Sequence, residues 1–84
     1  MSARFLLIDV SNSFTKLAFA TDTALKGRVR RVATPGLTAA ALHRSVGKPG
    51  RVDQLILSCV VPSALRAVET FAREIGAPLH VLDH

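Results

Sequence analysis

Near its start the chain reads Phe5-Leu6-Leu7-Ile8-Asp9-Val10-Ser11-Asn12-Ser13-Phe14-Thr15-Lys16. The first four of these residues form a short apolar run, which is typical of a strand buried on both faces. The run ends at Asp9, and Ser11-Asn12-Ser13 supplies the residue types that favour a tight turn. A second strand is predicted from Phe14 to Ala20, because apolar residues alternate there with Lys and Ala. The stretch therefore predicts two neighbouring strands joined by a polar turn.

The rest of the chain predicts five further elements. They are a basic, half-exposed or edge strand over Leu25–Val32, a helix over Leu37–Val46, a strand over Val52–Ser58, a helix over Pro62–Ile75 and a strand over Leu79–Leu82. The short turns between the first three strands predict an antiparallel meander. The later strands are separated by helices, so we expect them to be parallel, with right-handed crossovers. The order β-β-β-α-β-α-β thus indicates one α/β domain with a mixed sheet.

Length and composition limit the class of protein. A chain of 84 residues is at most one small domain, and a hydrophobic content of 49% suits a packed core rather than disorder. No apolar run approaches the ~20 residues of a membrane helix, and Phe5–Ile8 is too short for the core of a signal peptide. Cys59 is the only cysteine, so no internal disulfide forms. We expect a cytoplasmic protein with no membrane contact.

The net charge of +5 has two interpretations. A basic surface attracts phosphate-rich partners, nucleotides and nucleic acids among them. It is also what a solvated face, or one half of a larger protein, looks like. The densest basic cluster is Lys26, Arg28, Arg30 and Arg31. Proteins that bind single-stranded nucleic acid require aromatic residues interleaved with such a cluster, and this stretch of sequence has none. We therefore favour the solvated face and do not expect nucleic acid as a partner.

The turn after the first strand is the segment that points to chemistry. A carboxylate at a strand end, such as Asp9, can hold a hydrated magnesium ion, which takes only one or two carboxylates. Backbone N–H groups of a tight turn can bind a phosphate tail, and Lys16 can offset its charge. The segment is not a Walker loop, which needs G-x-x-x-x-G-K before a helix. From the residues alone, two interpretations remain: an ordinary hairpin with an Asp-type turn, and a phosphate-binding site.

The same segment resembles the first phosphate motif of type III pantothenate kinases, D-x-G-N-T-x-x-K. Asp9, Asn12 and Lys16 match it in place. Ser13 replaces the motif's Thr and keeps a hydroxyl, whereas Ser11 replaces a Gly and adds a Cβ where glycine permits close backbone approach. Residues 58–62, Ser-Cys-Val-Val-Pro, are similar to the family's S-S-V-V-P stretch after the fourth strand.

The resemblance implies a fold and an activity. The fold is α/β, a ribonuclease-H-like (actin-like ATPase) half domain, and residues 1–84 would be the amino-terminal nucleotide-binding domain of a longer two-domain kinase. The enzyme belongs to coenzyme A biosynthesis and transfers the γ-phosphoryl group of ATP to pantothenate. Members need Mg²⁺ or another divalent cation and a monovalent cation, K⁺ or NH4⁺, and they work as homodimers.

The family's roles carry over to the matching positions. Asp9 would position the metal, while Asn12 and the backbone around it would contact the ATP phosphates and Lys16 would steady the same tail. The residues expected to bind the cofactor are Asp9, Val10, Ser11, Asn12, Ser13, Phe14, Thr15 and Lys16. The family's catalytic base lies in a later G-x-D-R motif, and its monovalent-cation site also follows. We therefore expect no catalytic residue in this chain and no turnover by the chain alone.

Several alternatives remain. The kinase family includes non-catalytic relatives that act as transcriptional accessory factors, and Ser11 would fit a loss of phosphate binding. Cys59 is expected to be a packed residue rather than a nucleophile. Ser58 and Ser63 would contact a substrate or a partner subunit, or cap the following helix, which is the simpler role. The three histidines, His43, His80 and His84, show no metal-binding spacing, and none is assigned.

Overall fold

Five strands and two helices follow one another in the predicted order. The computed structural model describes residues 3–82, so His84 lies outside the described part of the chain. The elements are β1 (Arg4–Val10), β2 (Phe14–Thr21), β3 (Leu25–Ala33), α1 (Ala39–Val46), β4 (Gln54–Cys59), a 3₁₀ turn (Pro62–Ala64), α2 (Leu65–Ile75) and β5 (Leu79–Val81). The predicted α/β class is confirmed.

The strands form one mixed sheet in the order β3-β2-β1-β4-β5. β2 pairs antiparallel with β1 and with β3, whereas β4 pairs parallel with β1 and with β5. The predicted meander and the predicted parallel strands are both confirmed. β3 is an edge strand, as its basic pattern indicates, and its register with β2 shifts between Leu17 and Phe19.

Both helices pack on the same face of the sheet. The connections β3-α1-β4 and β4-α2-β5 run in one direction across the sheet, and connections of one handedness then place their helices on one side. Alternate strand residues point to that side, because side chains along a strand alternate between faces. The core consists of Leu6, Ile8, Val10, Leu17, Phe19, Leu42, Val46, Leu55, Leu57, Ala64, Val68, Phe71, Ala72 and Ala77.

α2 supplies the largest fully buried side chain, Phe71, with Val68 beside it. The helix ends at Gly76, whose φ of 75° is left-handed and whose N–H donates to the carbonyls of Ala72 and Arg73. Its start differs from the prediction: Pro62–Ala64 forms a 3₁₀ turn, and neither that turn nor α2 has a side-chain cap. The expected capping of this helix by Ser58 or Ser63 is therefore wrong.

The opposite face of the sheet is uncovered within residues 3–82. Leu25 and Val29 of β3 are 61% and 50% exposed, and Leu82 beyond β5 is also exposed. No helix among the described residues is long and apolar enough to cross a membrane.

Candidate functional site

The β1–β2 turn lies where several strands end. β1 and β4 are parallel, and β3 runs in the same direction, so their carboxyl ends meet at one edge of the sheet. In open α/β sheets, ligands bind outside the carboxyl ends of the strands. The loop after β3 and the loop after β4 reach the same edge. The predicted phosphate turn thus lies where this architecture places binding sites.

Three backbone hydrogen bonds hold the turn. Ser11 N–H donates to the Phe14 carbonyl at 3.0 Å and closes the turn itself. Val60 N–H, from the loop after β4, donates to the Val10 carbonyl at 3.1 Å. Thr34 N–H, from the loop after β3, donates to the Ser13 carbonyl at 3.0 Å. The turn is therefore tied to both neighbouring loops and is held in place before any ligand arrives.

A buried pair of hydroxyls reinforces the attachment to the loop after β3. The Oγ1 atoms of Thr15 and Thr34 are 3.0 Å apart and hydrogen-bonded, and both residues are buried. Thr15 belongs to β2 and Thr34 to the loop. One hydroxyl donates to the other, so each buried oxygen has a hydrogen-bond partner, and the bond fixes the position of the loop relative to the strand.

The Asp9 carboxylate is exposed and lies on the uncovered face of the sheet. Asp9 is directly opposite Lys16 of β2 and opposite Ser58 of β4. Residues paired in this way point to the same face, so the three side chains form a row across three strands. Within residues 3–82 the Asp9 carboxylate makes no ion pair and no side-chain hydrogen bond. It is available to a ligand or a cation.

A shallow apolar cleft of about 320 Å³ begins at this row and follows the uncovered face. Asp9, Lys16 and Ser58 supply polar groups at its border. The remaining lining residues are apolar: Leu7, Ile8, Leu17, Ala18, Leu25, Val29, Ile56 and Leu82. An apolar surface with a few polar groups at one end is the usual form of a small-molecule site.

Asn12 faces a different cleft. This second cleft has a volume of about 390 Å³ and is lined also by Thr34, Gly36, Val61 and Ser63. In the described part of the chain, the N–H groups of Asn12 and Ser13 donate to no backbone carbonyl. They are open to an acceptor such as a phosphate oxygen.

The eight predicted cofactor-binding residues therefore fall into distinct positions. Asp9 and Lys16 lie together on the uncovered face, and Ser11, Asn12 and Ser13 form the exposed turn next to it. Phe14 is exposed at the start of β2. Val10 and Thr15 are completely buried, so their side chains pack in the core and only their backbone lies near the turn.

Ser11 fits its turn without strain. Among residues 3–82 only glycines have positive φ, so the backbone at Ser11 is of a kind that any residue adopts. Its side chain is exposed. The conformation of the turn therefore does not require the glycine that the resembling motif has at this position.

The structure reveals one neighbour of the row that the sequence pattern did not indicate. Arg31 of β3 is opposite Lys16, and its guanidinium lies 4.5 Å from the centre of the Phe14 ring. On the other face, Arg30 lies 5.6 Å from the centre of the Phe19 ring. The basic cluster does meet aromatic rings, but across strands. These contacts follow from the alternation of side chains along β2 and β3. They could be predicted only if the register of the two strands were known.

Two further predictions concern cysteine and metal. Cys59 is partly buried, packs against the core and donates its Sγ–H to the Val61 carbonyl at 3.1 Å, as expected of a packed residue. Residues 3–82 contain no group of three or more His, Cys, Asp or Glu side chains arranged to hold a metal. A cation at Asp9 would therefore need ligands from water or from a bound molecule.

No protein-family model matches the chain, and no curated protein matches it significantly.

Proposed function

We propose that this chain is the ATP-binding portion of a type III pantothenate kinase, a cytoplasmic, homodimeric enzyme of coenzyme A biosynthesis. The observation that carries the proposal is the position of Asp9. Its carboxylate is exposed beside Lys16, at the carboxyl edge of the sheet and next to a turn with open N–H groups. This arrangement offers a cation site, a compact positive charge and backbone donors within one short segment.

The element order supports the same assignment at the level of the fold. A meander of three strands, followed by two helix–strand units in parallel, is the order of a ribonuclease-H-like half domain. A fold alone does not define a function, because one fold hosts many chemistries. The fold supports the proposal because the turn and Asp9 are exposed at the carboxyl edge of the sheet.

Asp9 fits a magnesium ion that arrives with its nucleotide. Mg²⁺ retains several waters and is commonly bound by one or two carboxylates plus substrate phosphates, so a single exposed carboxylate is a suitable ligand. A bound ion would neutralise charge on the nucleotide phosphates. Asp9 would hold the ion, and β1 positions Asp9 beside the hydrogen-bonded turn.

The other residues of the segment bind the phosphate tail. The Asn12 and Ser13 N–H groups donate to phosphate oxygens, and the Lys16 ammonium offsets their charge from the adjacent strand. We assign no residue of this chain to the catalytic base, the pantothenate pocket or the monovalent-cation site. The contribution of the chain is to hold and orient the nucleotide.

Titration calorimetry with ATP tests the proposal. The 84-residue chain should bind ATP in the presence of MgCl2 and bind it more weakly when EDTA replaces the metal. Asp9→Asn should weaken Mg-ATP binding by about tenfold or more, because the amide no longer attracts the cation with a full negative charge. Asp22→Asn is the matched control, because Asp22 is an exposed carboxylate in the β2–β3 turn, and it should bind ATP normally.

Two results would overturn the proposal. A chain that is folded and binds no ATP would favour the non-catalytic accessory relative instead. A chain that binds ATP equally well with and without Mg²⁺, and equally well in Asp9→Asn, would show that the nucleotide uses another surface.

A further inference from the structure

Arg31 extends the row of side chains at the turn to a fourth strand. It is opposite Lys16 in the β2–β3 register, and Asp9 is opposite Lys16 in the β1–β2 register. Paired residues share a face, so Ser58, Asp9, Lys16 and Arg31 follow one another across β4, β1, β2 and β3. Both Lys16 and Arg31 are exposed.

Two cations at directly opposed positions destabilise a pair of strands. The nearest carboxylate in the row is Asp9, which forms no ion pair with Lys16 within residues 3–82. The row therefore keeps a local excess of positive charge where the turn also exposes N–H donors. Such an excess is costly in the free chain and is relieved by an anion that contacts both cations.

Arg31 is also held in position. Its guanidinium lies 4.5 Å from the centre of the Phe14 ring, and Phe14 itself is 44% exposed at the end of the turn. A guanidinium over an aromatic face gains cation–π attraction, and its planar donors stay oriented. The contact with this ring therefore holds the Arg31 guanidinium beside the turn.

We infer that Arg31, oriented by Phe14, is a second phosphate-binding side chain, and that Lys16 and Arg31 together select an oligophosphate over a monophosphate. The inference rests on the proposed nucleotide site and names a determinant of its specificity. Adjacent strands are about 4.8 Å apart, so the two cations reach different phosphate groups of one chain. A monophosphate makes a good contact with only one of the two cations.

The competing explanation is protection of the sheet edge. β3 is an edge strand, and Lys or Arg on an edge strand prevents pairing with other chains. Arg28 of the same strand serves that role equally well and is also exposed, but it is paired with no residue of the row and stacks on no ring that the structure describes. Arg28→Gln therefore removes the same charge from the same edge and is the matched control for Arg31→Gln.

The test measures binding of ATP, inorganic tripolyphosphate and AMP, each with MgCl2, to the full chain by calorimetry. Arg31→Gln should weaken the binding of ATP and of tripolyphosphate by about tenfold, because glutamine cannot donate charge-assisted hydrogen bonds to the phosphates. Its effect on AMP should be small. Arg28→Gln should change the three affinities by less than about twofold, as expected of an exposed charge outside the row.

Phe14→Leu tests the orienting role separately. It should weaken tripolyphosphate binding through Arg31, so the double variant Phe14→Leu/Arg31→Gln should bind no worse than Arg31→Gln alone. Additive losses in this double-mutant cycle would show that Phe14 acts independently of Arg31. Arg31→Lys keeps the charge, loses the planar stack, and should bind more tightly than Arg31→Gln and less tightly than the unmodified chain.

The outcomes separate this inference from the proposed function. If the unmodified chain binds neither ATP nor tripolyphosphate, the proposed function fails and this inference fails with it. If it binds both, and Arg31→Gln binds them as well as Arg28→Gln does, only the role of Arg31 is overturned. Aggregation of Arg31→Gln with normal ligand affinity would assign Arg31 to edge protection instead.

Discussion

At Ser11, the backbone conformation that the turn needs and the contribution of the side chain to ligand binding can be tested separately. Its backbone φ is not positive, so glycine is unnecessary for the turn, and its side chain is exposed. Ser11→Gly should leave Mg-ATP affinity unchanged or tighten it. It should also lower the free energy of unfolding by roughly 0.5–1 kcal/mol, because glycine loses more backbone freedom on folding. Calorimetry and urea unfolding measure the two effects. A large loss of affinity would show that the Ser11 side chain itself contacts the ligand.

The Thr15–Thr34 hydrogen bond gives a second prediction at the scale of single residues. Thr34→Val should destabilise the fold by about 1–3 kcal/mol, since it leaves the buried Thr15 hydroxyl without a partner. Thr15→Val/Thr34→Val should recover part of that loss, because replacing both partners leaves no orphaned group. Urea unfolding measures the free energy of unfolding of the two variants, which should be lower for Thr34→Val than for the double variant. A double variant less stable than Thr34→Val would mean that packing, rather than the hydroxyl pair, dominates.

Some residues of the candidate site could be identified from the sequence alone, and others could not. Asp9 and Lys16 could be identified because a local turn pattern fixes their separation along the chain. Arg31 could not, because its proximity to Lys16 and Phe14 depends on the register of a third strand. That register includes a shift between Leu17 and Phe19, which the alternation of residue types does not specify.

At the scale of elements, the end of α2 allows a clean test of a helix cap. Gly76 has a φ of 75° and open space where a Cβ would lie, so the cost of a side chain is conformational rather than steric. Gly76→Ala should destabilise the fold by about 1–2 kcal/mol, the cost of a left-handed conformation for an L-residue. Gly76→Asn should cost less, because Asn tolerates that conformation better. Thermal or urea unfolding of both variants measures the difference, and equal losses would contradict the account.

The elements themselves were predictable to within a few residues, for physical reasons. Apolar runs and Gly or Pro breaks mark β1, β4 and α2, whose ends are fixed locally. The 3₁₀ start at Pro62–Ala64 was not predicted, because Pro62 suits the first turn of either helix type. The placement of both helices on one face, which leaves Asp9 exposed on the other, follows from the lateral order of the strands, and the sequence pattern did not determine that order.

At the scale of the whole molecule, one layer of helices on one side of a sheet gives a small core and a modest stability. A ligand that binds only the folded state should therefore have a visible effect. Mg-ATP at about 100 times its dissociation constant adds ~2.7 kcal/mol, which should raise the melting temperature by roughly 10–20 °C for a domain of this size. Differential scanning fluorimetry with Mg-ATP, and with Mg-AMP as the weaker ligand, measures the shift. An unchanged melting temperature at millimolar Mg-ATP would contradict a nucleotide site.

The most direct measurement locates the metal–nucleotide complex on the molecule. Mn²⁺ replaces Mg²⁺ at oxygen sites and broadens nearby amide signals in a ¹⁵N–¹H NMR spectrum. With ATP present, small amounts of Mn²⁺ should first broaden the amides of Asp9, Asn12, Ser13 and Ser58, while those of α1 stay sharp, and Asp9→Asn should abolish the effect. Broadening that instead centres on Asp22 or Glu69, or that persists unchanged in Asp9→Asn, would contradict a site at the β1–β2 turn.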